Sequence, residues 1–204
     1  RMVGDFVVKD GVLLRFWPAT PATDLATEWL RSAFDIGTER TMFDDVLFGF
    51  RQLVDIALKA ISPAVNDPTT AVNCIDYLTN LLIQVVHCPD SPIYYRDENS
   101  ILRVICRKPT FNMMLDLAFD QLRHYSRTEV TITLRLLAAL TEIAAVTGDA
   151  ERQAALWRHA TMIRRNADQG ISEPLDRRKI NEYLQQLASL VDQPTTAILL
   201  STDQ

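Results

Sequence analysis

Between two long apolar-faced segments lies the run Ala60-Ile61-Ser62-Pro63-Ala64-Val65-Asn66-Asp67-Pro68-Thr69-Thr70-Ala71, bracketed by prolines. Proline disfavours helical geometry in the residue before it, so Ser62-Pro63 ends one helix. Asp67 followed by Pro68 reads as an N-cap and first helical position, so a second helix starts there. The six-residue connection from Ser62 to Asp67 permits the two helices to lie as an antiparallel pair. A chain built on this reversal is committed to helix-on-helix packing.

The flanking segments carry the required pattern. From Met42 to Ile61, Phe43, Val46, Leu47, Phe50, Leu53, Val54, Ala57, Leu58 and Ile61 sweep a broad apolar arc at helical spacing, which marks the helix as core. Thr41 and Asp44 form a capping-box-like start. From Thr69 to Val86, the residues Val72, Ile75, Leu78, Leu82 and Val85 form the buried face. In the antiparallel pair Lys59 is expected near Thr70, Asp55 near Asn73 or Cys74 and Arg51 near Tyr77, which leaves room for a polar seam along one side. Further helices are expected over 110–125, 129–147, 150–168 and 173–192, with Thr128, Asp149 and Ser172 as caps and Gly148 and Gly170 as stops.

Two β elements interrupt this pattern. Asp5 to Phe16 holds two β-prone runs around Asp10-Gly11, the chemistry of a tight hairpin turn. Ile93-Tyr94-Tyr95-Arg96 and Ile101 to Cys106 flank a polar turn and read as a second hairpin. A helix is expected from Thr23 or Asp24 to Phe34. The fold class is therefore mainly α: an irregular helical bundle with a short N-terminal β-ribbon and a small internal β-hairpin. The ribbon extension covers 1–20, the helical domain 21–192 with its hairpin near 93–106, and 193–204 is a tail in which Ile198-Leu199-Leu200 could dock.

With 204 residues, 48% hydrophobic and 23% charged, the chain supports one sizeable core rather than two. No apolar run reaches the roughly 18 residues of a membrane span, and the chain is expected to be a soluble domain cut from something longer. Residues 20–88 carry Arg31, Arg40, Arg51 and Lys59 against nine acidic residues, which excludes nucleic acid as a partner for that half. Cys74, Cys88 and Cys106 lack metal or redox spacing and read as buried, reduced thiols of a cytosolic environment. Helical core packing accounts for Trp17, Trp29 and Trp157 without a cofactor.

No P-loop, GxSxG, GxGxxG, HExxH or Asp-rich calcium loop is present. His87, His124 and His159 are scattered and read as surface or helix-end residues; no metal and no cofactor is called for. The polar residues that could gather are Arg40, Arg51, Asp55, Asn66, Asp67 and Asn73, a candidate ligand-binding set along the seam. Each also has a structural role open to it: Asp55 can pair along its helix with Arg51 or Lys59, Asp67 is a cap and Asn66 a turn residue.

Several stretches, in order, carry a family resemblance: Gly4-Asp5-Phe6-Val7, Gly37-Thr38-Glu39-Arg40-Thr41 with Asp44 or Asp45, Leu53-Val54-Asp55-Ile56-Ala57, and Ala60 to Ala71. Through them the chain resembles the uncharacterised family of predicted bacterial membrane proteins called domain of unknown function 2254. The resemblance implies a membrane-embedded N-terminal region followed by a soluble C-terminal one, which this chain would be, and no established activity. Two expectations follow. One is a cytoplasmic assembly or regulatory domain of an inner-membrane protein, a channel or transporter among the options, partnered by its own upstream transmembrane region and by further copies as a homo-oligomer, without catalysis of its own. The alternative is a small-ligand sensor or enzyme using the seam between helices 42–61 and 69–86.

Overall fold

A computed structural model of the chain describes residues 2–13, 28, 32, 34–42, 45–89, 93–194 and 199–202. Its elements in chain order are α1 (Val46–Ala60), α2 (Pro68–Val86), β1 (Ile93–Arg96), β2 (Leu102–Cys106), α3 (Phe111–Tyr125), α4 (Val130–Ala144), α5 (Ala150–Gly170) and α6 (Pro174–Leu190). The chain is mainly α, with one small antiparallel sheet.

The proline-bracketed turn works as its residues require. Asp67 accepts the Thr70 N–H at 3.1 Å and the Thr70 hydroxyl at 2.5 Å, which satisfies the first turn of α2. Its own N–H donates to Ala60 O at 2.8 Å, tying the start of α2 to the end of α1. Asn66 takes the left-handed conformation at φ 50°, which asparagine tolerates better than most residues. The chain reverses, and α1 packs along α2.

The core sits around α4. Ile132, Leu136, Leu137, Leu140 and Ile143 are buried, and the helix packs against α2, α6 and α5, touching α3 as well. Each such Leu or Ile removed from water contributes about 1.5–3 kcal/mol. α3 lies on α1 through Phe111, Leu115, Ala118, Phe119 and Leu122, which are buried along one face. α5 passes between α3 and α4 on one side and α6 on the other.

Three local expectations are corrected. α1 starts at Val46, because Asp45 and not the Thr41–Asp44 pair is its cap, accepting the Phe48 N–H at 3.0 Å. α4 is preceded by Glu129 with no side-chain cap bond, and α6 is capped by Glu173 through the Leu175 N–H, so Thr128 and Ser172 do not serve. Only Cys74 of the three cysteines is buried; Cys88 is exposed and Cys106 half-buried, all three being free thiols.

The turn expected at Asp10-Gly11 forms, with Gly11 N donating to Val8 O at 2.9 Å and Asp10 at φ 64°. No strand is present among the described residues 2–13. Phe6, Val8 and Val12 stand exposed there, so this segment has no core surface to lie on, and a lone hairpin is marginal in water. The return run Leu14-Arg15-Phe16 lies outside the described residues. So do Trp17, Trp29, Asp44, Ile198 and most of the helix expected from Thr23 to Phe34.

At the other end, Leu200 is buried and held by two bonds to α6: Asn181 Nδ2 donates to its carbonyl at 2.9 Å and its N–H donates to Asn181 Oδ1 at 2.8 Å. Arg177 adds Nη1 to Ser201 O at 2.9 Å while Nε and Nη2 hold Ile171 O and Asp168 O. Residues 199–201 are thereby strapped across α6.

Leu140→Ala is expected to cost about 2–5 kcal/mol in urea denaturation, since it opens a cavity in a fully buried position. Leu175→Ala, on an exposed position of α6, should stay within about 0.5 kcal/mol.

Candidate functional site

Three separate stretches meet where α1 begins. The Asp45 carboxylate is almost fully buried. One oxygen caps Phe48, and the other receives Arg40 Nε at 2.8 Å and Nη2 at 2.6 Å. The Arg40 guanidinium also lies over the Phe48 ring, 5.2 Å from its centroid. Against this ion pair comes the N-terminal segment, at Gly4. A Cβ on Gly4 would fall 1.8 Å from Asp45 Oδ2, and its φ of 81° is itself a glycine conformation. Glycine is required there on both counts.

Beside the ion pair is a shallow cavity of about 220 Å³, lined by Val3, Gly4, Asp5, Arg40, Leu47, Arg51 and Leu117. Arg51 reaches it from α1, with Nη1 donating to Gln121 Oε1 on α3 at 3.2 Å and standing 3.9 Å from Asp55. Two guanidinium groups and one carboxylate border the space. Such a lining can hold an anion through charge-assisted hydrogen bonds.

The structure thus brings Arg40 and Arg51 together and leaves the other four candidates elsewhere. Asp55 stands 3.9 Å from Arg51 on its own helix, and its side chain is 61% exposed. Asn66 and Asp67 lie in the turn at the far end of α1, about 13 Å along the helix from Arg51 at 1.5 Å per residue. There the Thr70 hydroxyl, followed by the Thr70 N–H, holds the Asp67 carboxyl below its ordinary value of 3.8. Asn73 is exposed on α2. No hydrogen bond or ion pair crosses between the polar faces of α1 and α2 among the described residues, because Arg51 turns toward Gln121 on α3 and not toward Tyr77. The expected polar seam is not formed.

Other polar groups are buried where pattern reasoning did not look. His159, expected at a surface or helix end, is fully enclosed in the middle of α5. It falls on the stripe of Ala155, Leu156, Ala160, Ile163 and Ala167, so helical spacing could have placed it inside. Its Nε2 lies 2.8 Å from Asp116 Oδ1, which also accepts from Arg158 Nη2 at 2.6 Å, while Nδ1 has no hydrogen-bond partner among the described residues. This pattern fits the neutral ring that donates through Nε2, since a second proton would bury an N–H with no acceptor. Burial pushes the imidazole below its ordinary value of 6.5, outweighing the opposite pull of Asp116 and Asp120.

Arg152, also buried, places its two terminal nitrogens on Val86 O and, at 2.7 Å, on Cys88 O, so a cation sits on the C-terminal carbonyls of α2. Arg135 on α4 binds Asp76 of α2 and Glu142. No group of three or more His, Cys, Asp or Glu side chains is placed to hold a metal among the described residues.

Comparison with known proteins places this architecture in a family. The model of the family described as "Predicted membrane protein (DUF2254)" matches residues 1–142, and the chain belongs to that family. Relatives include the uncharacterized proteins Rv1290c of Mycobacterium tuberculosis strain H37Rv and Mb1321c of Mycobacterium bovis, each 31% identical over 201 residues. The match takes in 95% of this chain and 38% of either relative, so the chain spans little over a third of their length. No solved structure matches. Among the described residues no helix is long and apolar enough to cross a membrane.

Two outcomes follow. Gly4→Ala should loosen residues 2–8 from the start of α1, seen as faster amide exchange in that segment with the exchange of α4 unchanged; unchanged exchange at 2–8 would contradict the packing. For His159, the unfolded ring takes up its proton near 6.5 and the folded ring only at lower pH, so the unfolded state binds more protons and stability falls as pH drops below about 6.5. Imidazole nitrogen shifts should show the His159 ring still neutral below pH 6.5.

Proposed function

We propose that this region is a helical assembly or regulatory domain of a membrane protein, working through packing between copies and with the membrane-crossing part of the longer protein rather than through turnover. The observation that carries the reading is an apolar line on α1 that the fold covers only in part: Val46 and Ile56 at its two ends are exposed, while Gly49 is half-buried and Leu53 packs against the core. Val46, Gly49, Leu53 and Ile56 recur at spacings of 3, 4 and 3 along the helix. Val46 is 56% and Ile56 50% exposed, while Phe50, Val54 and Ala57 beside them are buried against α2 and α3. The apolar arc of α1 is thus wider than its neighbours need. A second copy laid along this line would cover it with the knob-in-hole geometry of helix pairs.

Placement on the cytoplasmic side of the inner membrane is part of the same proposal. Three unpaired cysteines are in keeping with a reducing compartment.

A second reading, a sensor for a small anionic ligand, is favoured by the convergence of Arg40 and Arg51 on one cavity. It separates from the first by what travels with the purified chain. A ligand there would be lost in Arg51→Ala, whereas the assembly reading leaves that variant unaltered in size.

Light scattering over a dilution series tests the favoured reading. The wild-type chain is expected as a discrete oligomer and Ile56→Glu as a monomer of unchanged helix content. A wild-type monomer at every concentration would overturn it.

A further inference from the structure

The β1–β2 hairpin stands apart from the rest of the molecule. Its strands pair in register from Ile93↔Cys106 through Tyr94↔Ile105 and Tyr95↔Val104, with a bulge before Arg96↔Leu102. No helix packs against either strand among the described residues. Its turn is held from within: Asp97 accepts the N–H groups of Asn99 and Ile101 and the Arg103 guanidinium, and Arg96 Nη1 donates to Ser100 O at 2.8 Å. Yet a two-stranded hairpin alone is marginal in water and needs a surface to lie on.

What that surface is can be read from the side chains. Tyr94 and Ile105 form a pair on one face, Tyr95 and Val104 on the other, and all four are exposed. Ile101 and Leu102 are exposed as well. An element that is apolar on both faces is poorly served by a protein partner, which would cover one face and leave the other in water. The boundary between lipid headgroups and acyl chains covers both at once.

Charge points the same way. Residues 93–108 carry Arg96, Arg103, Arg107 and Lys108 against Asp97 and Glu98, a net of +2 in a chain whose net charge is −5. Tyrosines beside arginine and lysine are the side chains that settle at membrane interfaces, the rings at headgroup depth and the cations on phosphate. The free strand edges, whose backbone groups need water or a headgroup to bond, keep the hairpin from going deeper.

We propose that the β1–β2 hairpin is a membrane-surface contact element that rests its tyrosines and aliphatic side chains in the headgroup layer and draws anionic lipid with Arg107 and Lys108. It goes beyond the assembly reading and does not depend on it, so either can fail without the other.

The test is flotation of the 204-residue chain with vesicles. Binding is expected to vesicles of phosphatidylcholine with phosphatidylglycerol, to weaken toward phosphatidylcholine alone, and to fall with added salt. Arg107→Glu/Lys108→Glu should reduce binding to anionic vesicles by about tenfold or more. Tyr94→Ser/Ile105→Ser should reduce it on both vesicle types. Helix content should be unchanged in both variants, because no helix rests on the hairpin. A wild-type chain that does not float, or variants that float as well as the wild type, would overturn the proposal. So would a shift of the Tyr94→Ser/Ile105→Ser variant from oligomer to monomer without any vesicle binding by the wild type, which would assign the hairpin to a second copy.

Discussion

The burial of α4 governs where everything else in this fold can go. Ile132, Leu136, Leu137, Leu140 and Ile143 leave the helix little surface to share with water, and α2, α5 and α6 must all reach it. The cost of ordering these helices is met largely by that shared apolar surface, as it is in helical proteins generally. Polar side chains are pushed to the rims of the contact. Arg135 shows the consequence: it sits at the edge of α4 and collects Asp76 from α2 and Glu142 from its own helix. Arg152 and Arg177 play a related part by placing guanidinium groups on carbonyls that helix ends and the 199–201 strap would otherwise leave unpaired.

Much of this was legible in the residues. The Asp67-Pro68 start, the presence of helices at α3 to α6 and the internal hairpin follow from local chemistry that tertiary contacts do not override. Errors arose where a distant partner decided the outcome. Asp45 and not Thr41 caps α1, because Arg40 and Gly4 close around that carboxylate, and adjacent aspartates look alike in a sequence. His159 departs from expectation for the opposite reason: its helical position among Ala155, Leu156 and Ile163 points inward, while histidine as a residue type points to the surface.

The site was less legible than the fold. The antiparallel α1–α2 pair correctly brings two polar faces alongside one another, but a polar face is not a seam unless side chains turn toward each other. Arg51 finds Gln121 on α3, a residue 70 positions away, and Asp55 and Asn73 stay in water. What does converge is the set around Gly4, Arg40 and Asp45, drawn from segments that periodicity alone cannot connect. Its one buried carboxylate is engaged by a cap and an ion pair, which ties Arg40 to the start of α1, with Gly4 packed close against the pair.

The exposure of Val46 and Ile56 at the two ends of one apolar line on α1 is the feature that the packing of one chain does not account for, and assembly is the role it supports. Native mass spectrometry of the gently purified chain, set beside its denatured mass, addresses that role most directly. The account predicts a whole-number multiple of the single-chain mass with nothing added. A single-chain mass, or a single chain carrying a small non-covalent ligand, would contradict it.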